Sequence, residues 1–239
     1  VLSVVLKQSQ KQVQKTVSRF ILGTEGRVHR VSYENSLDKP VKFPAGTTAL
    51  QANHKDYIRS RGYKPKQMVD LYKIKATPRY TRLGPRIIIP IYWQGIPVSW
   101  TARLINNKGP RYLKCPKSQE SFPAKNTLYG WEHIKDKCVV VEGIFDMWRL
   151  GPGAVATMGL GYSPEQVELL SHLNQVFIMF DSDKPARVRS VNLARRLSAL
   201  VDVEIIEIDA EDPDSLSNEE ARQIMGELGF RSSHENKKK

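Results

Sequence analysis

The second half of the chain alternates short apolar runs with longer amphipathic segments. This alternation predicts parallel strands covered by helices, because a strand buried on both faces is apolar throughout and a covering helix has one apolar face. The predicted strands are Val139–Val141, Ala154–Thr157, Val176–Phe180 and Val203–Ile208, and the predicted helices are Phe145–Leu150, Glu165–Leu173, Ala186–Leu200 and Ser215–Phe230. The pattern therefore indicates an α/β fold with a parallel sheet and flanking helices.

Local signals indicate where one of these helices begins and which face another one buries. Ser163 is a suitable N-cap and Pro164 suits the first helical position, so a helix is predicted to begin there. In the helix after the third strand, apolar residues recur at helical spacing, which predicts that they form its buried face. These residues are Val188, Val191, Ala194, Leu197 and Val201.

The first half of the chain has a different pattern and predicts an α+β subdomain. Thr48–Ser60 has helical spacing, and Pro65 can open a second helix that continues over Lys66–Tyr72. The candidate core residues of the first helix are Leu50, Tyr57 and Ile58.

An antiparallel hairpin is predicted after these two helices. Arg86–Ile91 and Pro97–Leu104 are rich in β-branched and aromatic residues, and Gln94 and Gly95 between them favour a turn. Pro90 predicts that the first strand is an edge strand or has a bulge at that point, because proline cannot donate a hydrogen bond to a neighbouring strand.

These patterns divide the chain into four segments. Residues 1–47 are expected to be an N-terminal extension and linker, and residues 48–136 a basic α+β subdomain. Residues 137–214 are expected to form the parallel-sheet domain, and residues 215–239 a C-terminal helix with a disordered basic tail.

Charge indicates the class of partner. The 239 residues include 37 Lys and Arg against 25 Asp and Glu, which gives a formal net charge of +12. Such a balance favours a polyanion, with nucleic acid preferred over an anionic membrane surface. No apolar run approaches the ~20 residues of a membrane span, so we expect no membrane association. Cys115 and Cys138 lack zinc-site spacing and are expected to be free thiols in a reducing cytoplasm.

Three pairs of carboxylates stand out within this basic chain. The first two pairs follow apolar strands directly, and the third follows the fourth strand. Because the carboxyl ends of parallel strands meet at one sheet edge, the pairs are expected to form one site. Oxygen ligands favour Mg²⁺ or Mn²⁺ over zinc, and such a cation indicates phosphoryl chemistry. The alternative is that these residues cap helices or face solvent, with Lys or Arg relieving their repulsion. The pairs are Glu142 and Asp146, Asp181 and Asp183, and Asp212 and Asp214.

Basic residues cluster in three groups in the first half of the chain. Each group alone is expected to be a solvated surface, whereas together they would form a cationic channel for a nucleic-acid backbone. Arg187 and Arg189, which follow Asp183 closely, are candidates for binding a triphosphate, with a solvent-facing helix surface as the alternative. The groups are Arg59, Arg61, Lys64 and Lys66; Arg79, Arg82 and Arg86; and Lys108, Arg111 and Lys114.

Three motifs carry a resemblance to a known family. Val139–Asp146 reads VVVEGIFD, Phe180–Asp183 reads FDSD and Glu211–Asp214 reads EDPD. Their order and spacing resemble the Toprim domain of bacterial DnaG-type primases. Upstream, the strand pair ending near Arg103, and the stretch RYLKCP that begins at Arg111 and is followed by Lys125 and Leu-Tyr-Gly, resemble the basic subdomain of the same enzymes.

The resemblance implies an activity, a cofactor and partners. A DnaG-type primase synthesises short RNA primers from ribonucleoside triphosphates on a single-stranded DNA template, by nucleotidyl transfer that depends on Mg²⁺ or Mn²⁺. It implies a replicative helicase as a further partner and a location in the cytoplasm of a bacterium or a phage-infected cell. No zinc is expected in this chain, because nothing in it matches the N-terminal zinc-binding module of such primases.

The resemblance also implies roles for matching residues. The residues expected to be catalytic are Glu142, Asp146, Asp181 and Asp183. The expected metal ligands are Glu142, Asp181, Asp183, Asp212 and Asp214. Arg103, Arg111 and Lys125 are expected to bind nucleic acid or nucleotide, together with Arg187 and Arg189.

The chain departs from the family pattern in two places. Glu211 stands where the family usually has lysine, and Lys184–Arg189 is basic where the family usually has small residues. A short phage- or plasmid-type enzyme, or a fragment of a longer one, is expected. The alternatives are a Toprim-type nuclease, a topoisomerase fragment and a non-catalytic nucleic-acid-binding replisome protein.

Overall fold

The computed structural model describes residues 40–230 except Asn107 and Leu160, and these residues form two compact units that divide between Ala124 and Lys125. The predicted N-terminal extension and basic tail lie largely outside the described residues. Within the described range, no helix combines the length and the apolar character needed to cross a membrane. Each unit contains one buried free cysteine, Cys115 in the first and Cys138 in the second.

The first unit is an α+β unit built on an antiparallel sheet. Its strands lie in the order β1-β2-β3-β4, so that the predicted hairpin, β2 and β3, forms the centre of the sheet. The main elements are α1 Ala52–Ser60, α2 Pro65–Tyr72, β1 Lys75–Thr77, β2 Arg86–Trp93, β3 Ile96–Leu104 and β4 Tyr112–Lys114.

Pro90 occupies a part of β2 that pairs with a strand on one side only, as far as residues 40–230 are described. β1 pairs with Arg86–Ile88 and ends there, whereas β3 pairs along the whole of β2. A register shift follows between Ile91 and Tyr92. The missing amide hydrogen of the proline is tolerated because β2 is an edge strand locally, next to a bulge.

The first unit also buries charged side chains, and Arg86 is one of them. Ile88, Trp100 and Ala102 pack in its hydrophobic cluster. Arg86 is only 3% exposed, and its guanidinium donates to the carbonyl oxygens of Leu83, Ala102 and Pro110 at 2.8, 3.1 and 2.9 Å. The grouping of Arg86 with surface arginines was therefore wrong: this residue holds three backbone segments together.

The second unit is the predicted α/β unit. Its four strands are all parallel and lie in the order β6-β5-β7-β8. Its main elements are β5 Lys137–Val141, α3 Ile144–Leu150, β6 Ala154–Ala156, α4 Pro164–Leu170, β7 Gln175–Ile178, α5 Lys184–Leu197, β8 Asp202–Ile205 and α6 Asn218–Glu227.

The segment before β5 belongs structurally to this second unit. Leu128 is buried in the core cluster of the second unit, and Tyr129 forms a β-bridge with Ala156. The boundary between the two compact units, after Ala124, therefore lies earlier in the sequence than the change of pattern at residue 137. The boundaries given by the sequence remain predictions about functional segments.

The capping of α4 agrees with the sequence, and the buried face of α5 agrees only in part, because Leu197 and Val201 are buried as predicted. Ser163 Oγ accepts a hydrogen bond from the Gln166 amide at 3.1 Å, as expected of an N-cap. In α5, Val188 and Val191 are 56% and 45% exposed. The prediction counted only apolar residues, whereas the buried stripe includes a serine whose hydroxyl donates to backbone carbonyls within the helix. The buried residues of α5 are Ala186, Ser190, Leu193 and Leu197.

Candidate active site

The predicted carboxylates converge at the carboxyl ends of the parallel strands. Glu142 follows β5 directly and Asp181 lies shortly after β7. The pKa of Asp181 is raised to about 7, first by burial and then by four negative charges around it. Those charges belong, in decreasing order of effect, to Asp146, Glu142, Asp212 and Asp183. The structure thus brings members of all three pairs into one electrostatically coupled cluster.

Glu142 is held by an arginine of the neighbouring helix. Its side chain is buried, and Oε1 accepts hydrogen bonds from Arg189 Nε at 3.0 Å and Nη2 at 2.8 Å. The carbonyl oxygen of Glu142 accepts a further bond from the amide of Met158 at 3.0 Å. The backbone of this glutamate is therefore fixed by the segment after β6, and its carboxylate by α5.

Asp146 is buried within a network at the start of α3. Its Oδ2 accepts from the Gly143 amide at 2.8 Å, and its Oδ1 accepts from the Asp214 amide at 3.2 Å. Asp214 in turn pairs with Arg149, with Nη2 and Oδ1 3.5 Å apart. The alternative that the carboxylates face solvent is wrong for Asp146, because this residue is buried and its two oxygens tie the first acidic pair to the third.

Asp183 and Asp212 each cap a helical segment. Asp183 Oδ1 accepts from the amide of Ala186 at 2.6 Å, and Asp212 Oδ1 accepts from the amide of Ser215 at 2.8 Å. The two loops are joined by Ser182, whose amide donates to the carbonyl oxygen of Glu211 at 2.9 Å. This contact uses the backbone oxygen of Glu211, and the residue is exposed. The contact therefore does not depend on whether the side chain at position 211 is glutamate or the lysine usual in the family.

Asp181 is the carboxylate that lacks such a partner. Its Oδ1 is buried and has no hydrogen bond within the described chain. A buried carboxylate oxygen without a partner, surrounded by other carboxylates, fits a hard divalent cation in donor type and charge. No group of three His, Cys, Asp or Glu side chains in the described residues is already arranged to hold a metal ion. Ion binding here would therefore require at least one carboxylate to leave its protein partner.

The first unit holds a separate cationic cavity. Its volume is about 460 Å³, and the described residues that line it include three arginines and no carboxylate. Arg103 is nearly buried; its Nε donates to the Tyr57 hydroxyl at 2.9 Å, and its guanidinium carbon lies 4.9 Å from the ring centre of Tyr112. The lining residues are Tyr57, Arg61, Arg103, Leu104, Ile105, Asn106, Gly109 and Arg111.

The remaining predicted cationic residues belong to the second unit and differ in their surroundings. Lys125 is exposed, and its Nζ donates to the carbonyl oxygen of Gly161 at 3.1 Å. Arg187 is exposed on α5, whereas Arg189 on the same helix is partly buried against Glu142. A role for any of them in binding nucleotide remains a prediction.

Reasoning from sequence missed two residues that support these sites. The first is Arg149, whose position one helical turn after Asp146 places both residues on one side of α3. Tyr57 was treated only as a core residue, although its hydroxyl orients Arg103. The first could have been found from helical spacing, whereas the second depends on a contact between residues 46 positions apart.

Comparison with known proteins shows that the second unit is similar to one family. Residues 139–217 match the Toprim-like family. The chain is 28% identical over 193 residues to the DNA primase of Synechococcus elongatus, covering 75% of this chain and 25% of that protein. It is 30% identical over 159 residues to the DNA primase of a Synechocystis species, covering 59% and 24%. The chain spans about a quarter of the length of these relatives.

A solved structure agrees with the fold. A DnaG primase catalytic domain bound to single-stranded DNA superposes with a TM-score of 0.63 at 20% identity, covering 90% of this chain and 78% of that one. The expected α/β class and the expected resemblance to Toprim-containing DnaG-type primases are both confirmed.

Proposed function

We propose, from a Toprim-like domain at residues 139–217 in a chain similar to DNA primases, that this protein is the polymerase core of a primase. It would join ribonucleoside triphosphates into short RNA primers on a single-stranded DNA template. The observation that carries the proposal is the convergence of carboxylates from all three pairs around the unpartnered oxygen of Asp181 at the strand ends.

The carboxylates would hold Mg²⁺ or Mn²⁺. The residues proposed as ligands are Glu142, Asp181, Asp183, Asp212 and Asp214, with Asp146 orienting the backbone between the first and third pairs. The cation would supply positive charge at the phosphate under attack. The protein itself contributes positioning and charge, as nucleotidyl transfer from a triphosphate requires no covalent intermediate on the enzyme.

Basic residues would bind the phosphates of template and nucleotide. Arg103 suits this role because Tyr57 and Tyr112 hold its guanidinium in place, which reduces the entropy lost on binding. Arg111 shares its cavity, and Lys125 and Arg187 are exposed in the second unit. We further propose a replicative helicase as a partner, because primers are needed where the duplex is being opened.

The test is primer synthesis by carboxylate variants. Asp181→Ala and Asp183→Ala are expected to abolish the formation of short labelled RNA on single-stranded DNA with Mg²⁺, while binding of the DNA persists. Asp202→Ala is the matched control, because this exposed carboxylate lies at the first residue of β8 and thus at the opposite end of the sheet. Full synthesis by both site variants would contradict the proposal.

Other outcomes of the same assay identify the rival functions. Cleavage of labelled DNA without added nucleotides, lost in the Asp181→Ala protein, would indicate a nuclease that uses the same carboxylates. Binding of DNA with neither synthesis nor cleavage in the wild-type protein would indicate a non-catalytic replisome component.

A further inference from the structure

Arg189 brings a cationic side chain into the carboxylate cluster, where it pairs with Glu142. The exposed fractions of the two side chains are 21% for Arg189 and 7% for Glu142, so the pair is largely withdrawn from water. Both Nε and Nη2 of the guanidinium contact the same oxygen, Oε1. Removing one partner of such a pair leaves the other buried without compensation, which makes the pair hard to break in isolation.

A divalent cation and Arg189 would compete for the same carboxylate. Each stabilises Glu142 by opposite charge, and the guanidinium also repels any second cation brought close to it. We propose that Arg189 is a positioning residue that holds Glu142 while the site is metal-free, is released when the divalent cation binds, and thereby lowers the affinity of the site for that cation. This inference rests on the metal site proposed above.

The competition follows from thermodynamic linkage. If metal binding must break the pair, then the pair weakens metal binding by the same factor by which metal weakens the pair. A factor of about ten corresponds to about 1.4 kcal/mol of coupling, well within what a largely buried ion pair can supply.

The experiment compares Mn²⁺ binding by arginine variants of α5. Mn²⁺ is titrated into the metal-free protein and free Mn²⁺ is followed by electron paramagnetic resonance. Arg189→Gln is expected to bind Mn²⁺ about tenfold more tightly than the wild-type protein. Arg195→Gln is the matched control, since it removes the same charge from an exposed position of the same helix and is expected to keep the wild-type affinity.

Thermal unfolding provides a readout that a merely structural role would not give. Metal-free Arg189→Gln is expected to melt below the wild-type protein, and saturating Mn²⁺ is expected to raise its Tm by more than it raises that of the wild type. Arg189→Lys keeps the charge without the two-nitrogen contact and should lie between the two in affinity. If Arg189→Gln does not fold without metal, the Mn²⁺ affinity of Arg189→Lys tests the proposal in its place.

The failures of the two proposals are distinguishable. If wild-type protein binds Mn²⁺ and Asp181→Ala does not, but the Arg189 variants bind with unchanged or weaker affinity, only the role of Arg189 is overturned. If the wild-type protein binds no Mn²⁺, the proposed metal site fails and the role of Arg189 fails with it.

Discussion

At the scale of single residues, the candidate site is a set of carboxylates with unequal partners. The four carboxylates around Asp181 are each engaged by an arginine or by a backbone amide, whereas the buried Oδ1 of Asp181 has no hydrogen bond among the described residues. The charge of Asp181 is therefore the one most disfavoured in the metal-free protein. Its pKa of about 7 makes pH and metal the two variables that control it.

The raised pKa predicts a pH-dependent stability of the metal-free protein. In the unfolded chain the Asp181 carboxyl titrates near 3.8, and in the folded protein near 7. Unfolding thus releases a proton between these values, so this residue's stabilising contribution is present at low pH and is lost as pH rises through about 7. Thermal unfolding in EDTA at pH 5 and pH 8 should show a smaller fall in Tm for Asp181→Asn than for wild type. Asp202→Asn is the control, and an equal fall in all three proteins would contradict the prediction.

Glycine at position 143 is required by the close approach of Asp146. A Cβ atom there would lie 2.6 Å from Asp146 Oδ2, the oxygen that accepts the Gly143 amide hydrogen. Gly143→Ala is expected to displace the Asp146 carboxylate and to lower the free energy of unfolding by about 1–3 kcal/mol. It is also expected to reduce primer synthesis by about tenfold, because the carboxylate is misplaced.

Gly226→Ala is the control for this substitution, because a Cβ at that position in α6 meets nothing within 4 Å. It is expected to leave synthesis unchanged and to raise stability by about 0.4–1 kcal/mol, since alanine restricts the unfolded chain. Chemical denaturation and the primer assay measure both effects. Equal stability and equal primer synthesis of the two alanine variants would show that the close approach of Gly143 to Asp146 is not needed for either.

At the scale of elements, helix starts place functional side chains. α5 is capped by Asp183, α3 begins immediately after Gly143, and α4 is capped by Ser163. Ser163 has a second role, because its hydroxyl donates to the carbonyl oxygen of Lys125 at 2.6 Å. One N-cap thus connects a helix to the loop that carries a proposed phosphate-binding lysine.

This double role predicts that two N-cap substitutions will differ. Ser163→Ala and Ser217→Ala each remove a side-chain cap, of α4 and α6, and each should lower the free energy of unfolding by about 1 kcal/mol. Only Ser163→Ala also frees the loop at Lys125, so only it should weaken nucleoside triphosphate binding, by a few-fold. Isothermal titration with a triphosphate checks this, and equal affinity of the two variants would refute it.

At the scale of the whole molecule, the net charge of +12 would govern association with the proposed DNA template. Binding to single-stranded DNA is expected to weaken linearly on a plot of log affinity against log salt concentration, between about 50 and 200 mM NaCl. Arg111→Gln should reduce the magnitude of the slope by about one, since one phosphate contact is lost. Lys117→Gln, at an exposed position outside the cavity, is the control. Fluorescence anisotropy measures the slopes, and a salt-independent affinity would exclude a phosphate-binding role.

The amino-acid sequence by itself determined the element types, their order and the edge of the sheet where the carboxylates meet. Apolar periodicity is a local property, and parallel strands joined by helices must present their carboxyl ends together. For this reason the sequence alone predicts that Glu142 and Asp181 belong to one site. The sequence also shows that Lys184–Arg189 is basic where the family usually has small residues, but it does not show that Arg189 contacts Glu142.

Only the tertiary structure decided how the charges are partnered. The contact of Arg189 with Glu142 spans 47 positions, and the amide of Asp214 reaches Asp146 across 68. Such contacts depend on helix phase and on the packing of neighbouring strands, neither of which is set by a local pattern. The same reason explains why α5 buries Ser190 and leaves Val188 exposed. The sequence identified the carboxylates, and the packing left Oδ1 of Asp181 without a hydrogen bond in the part of the chain that the structure describes.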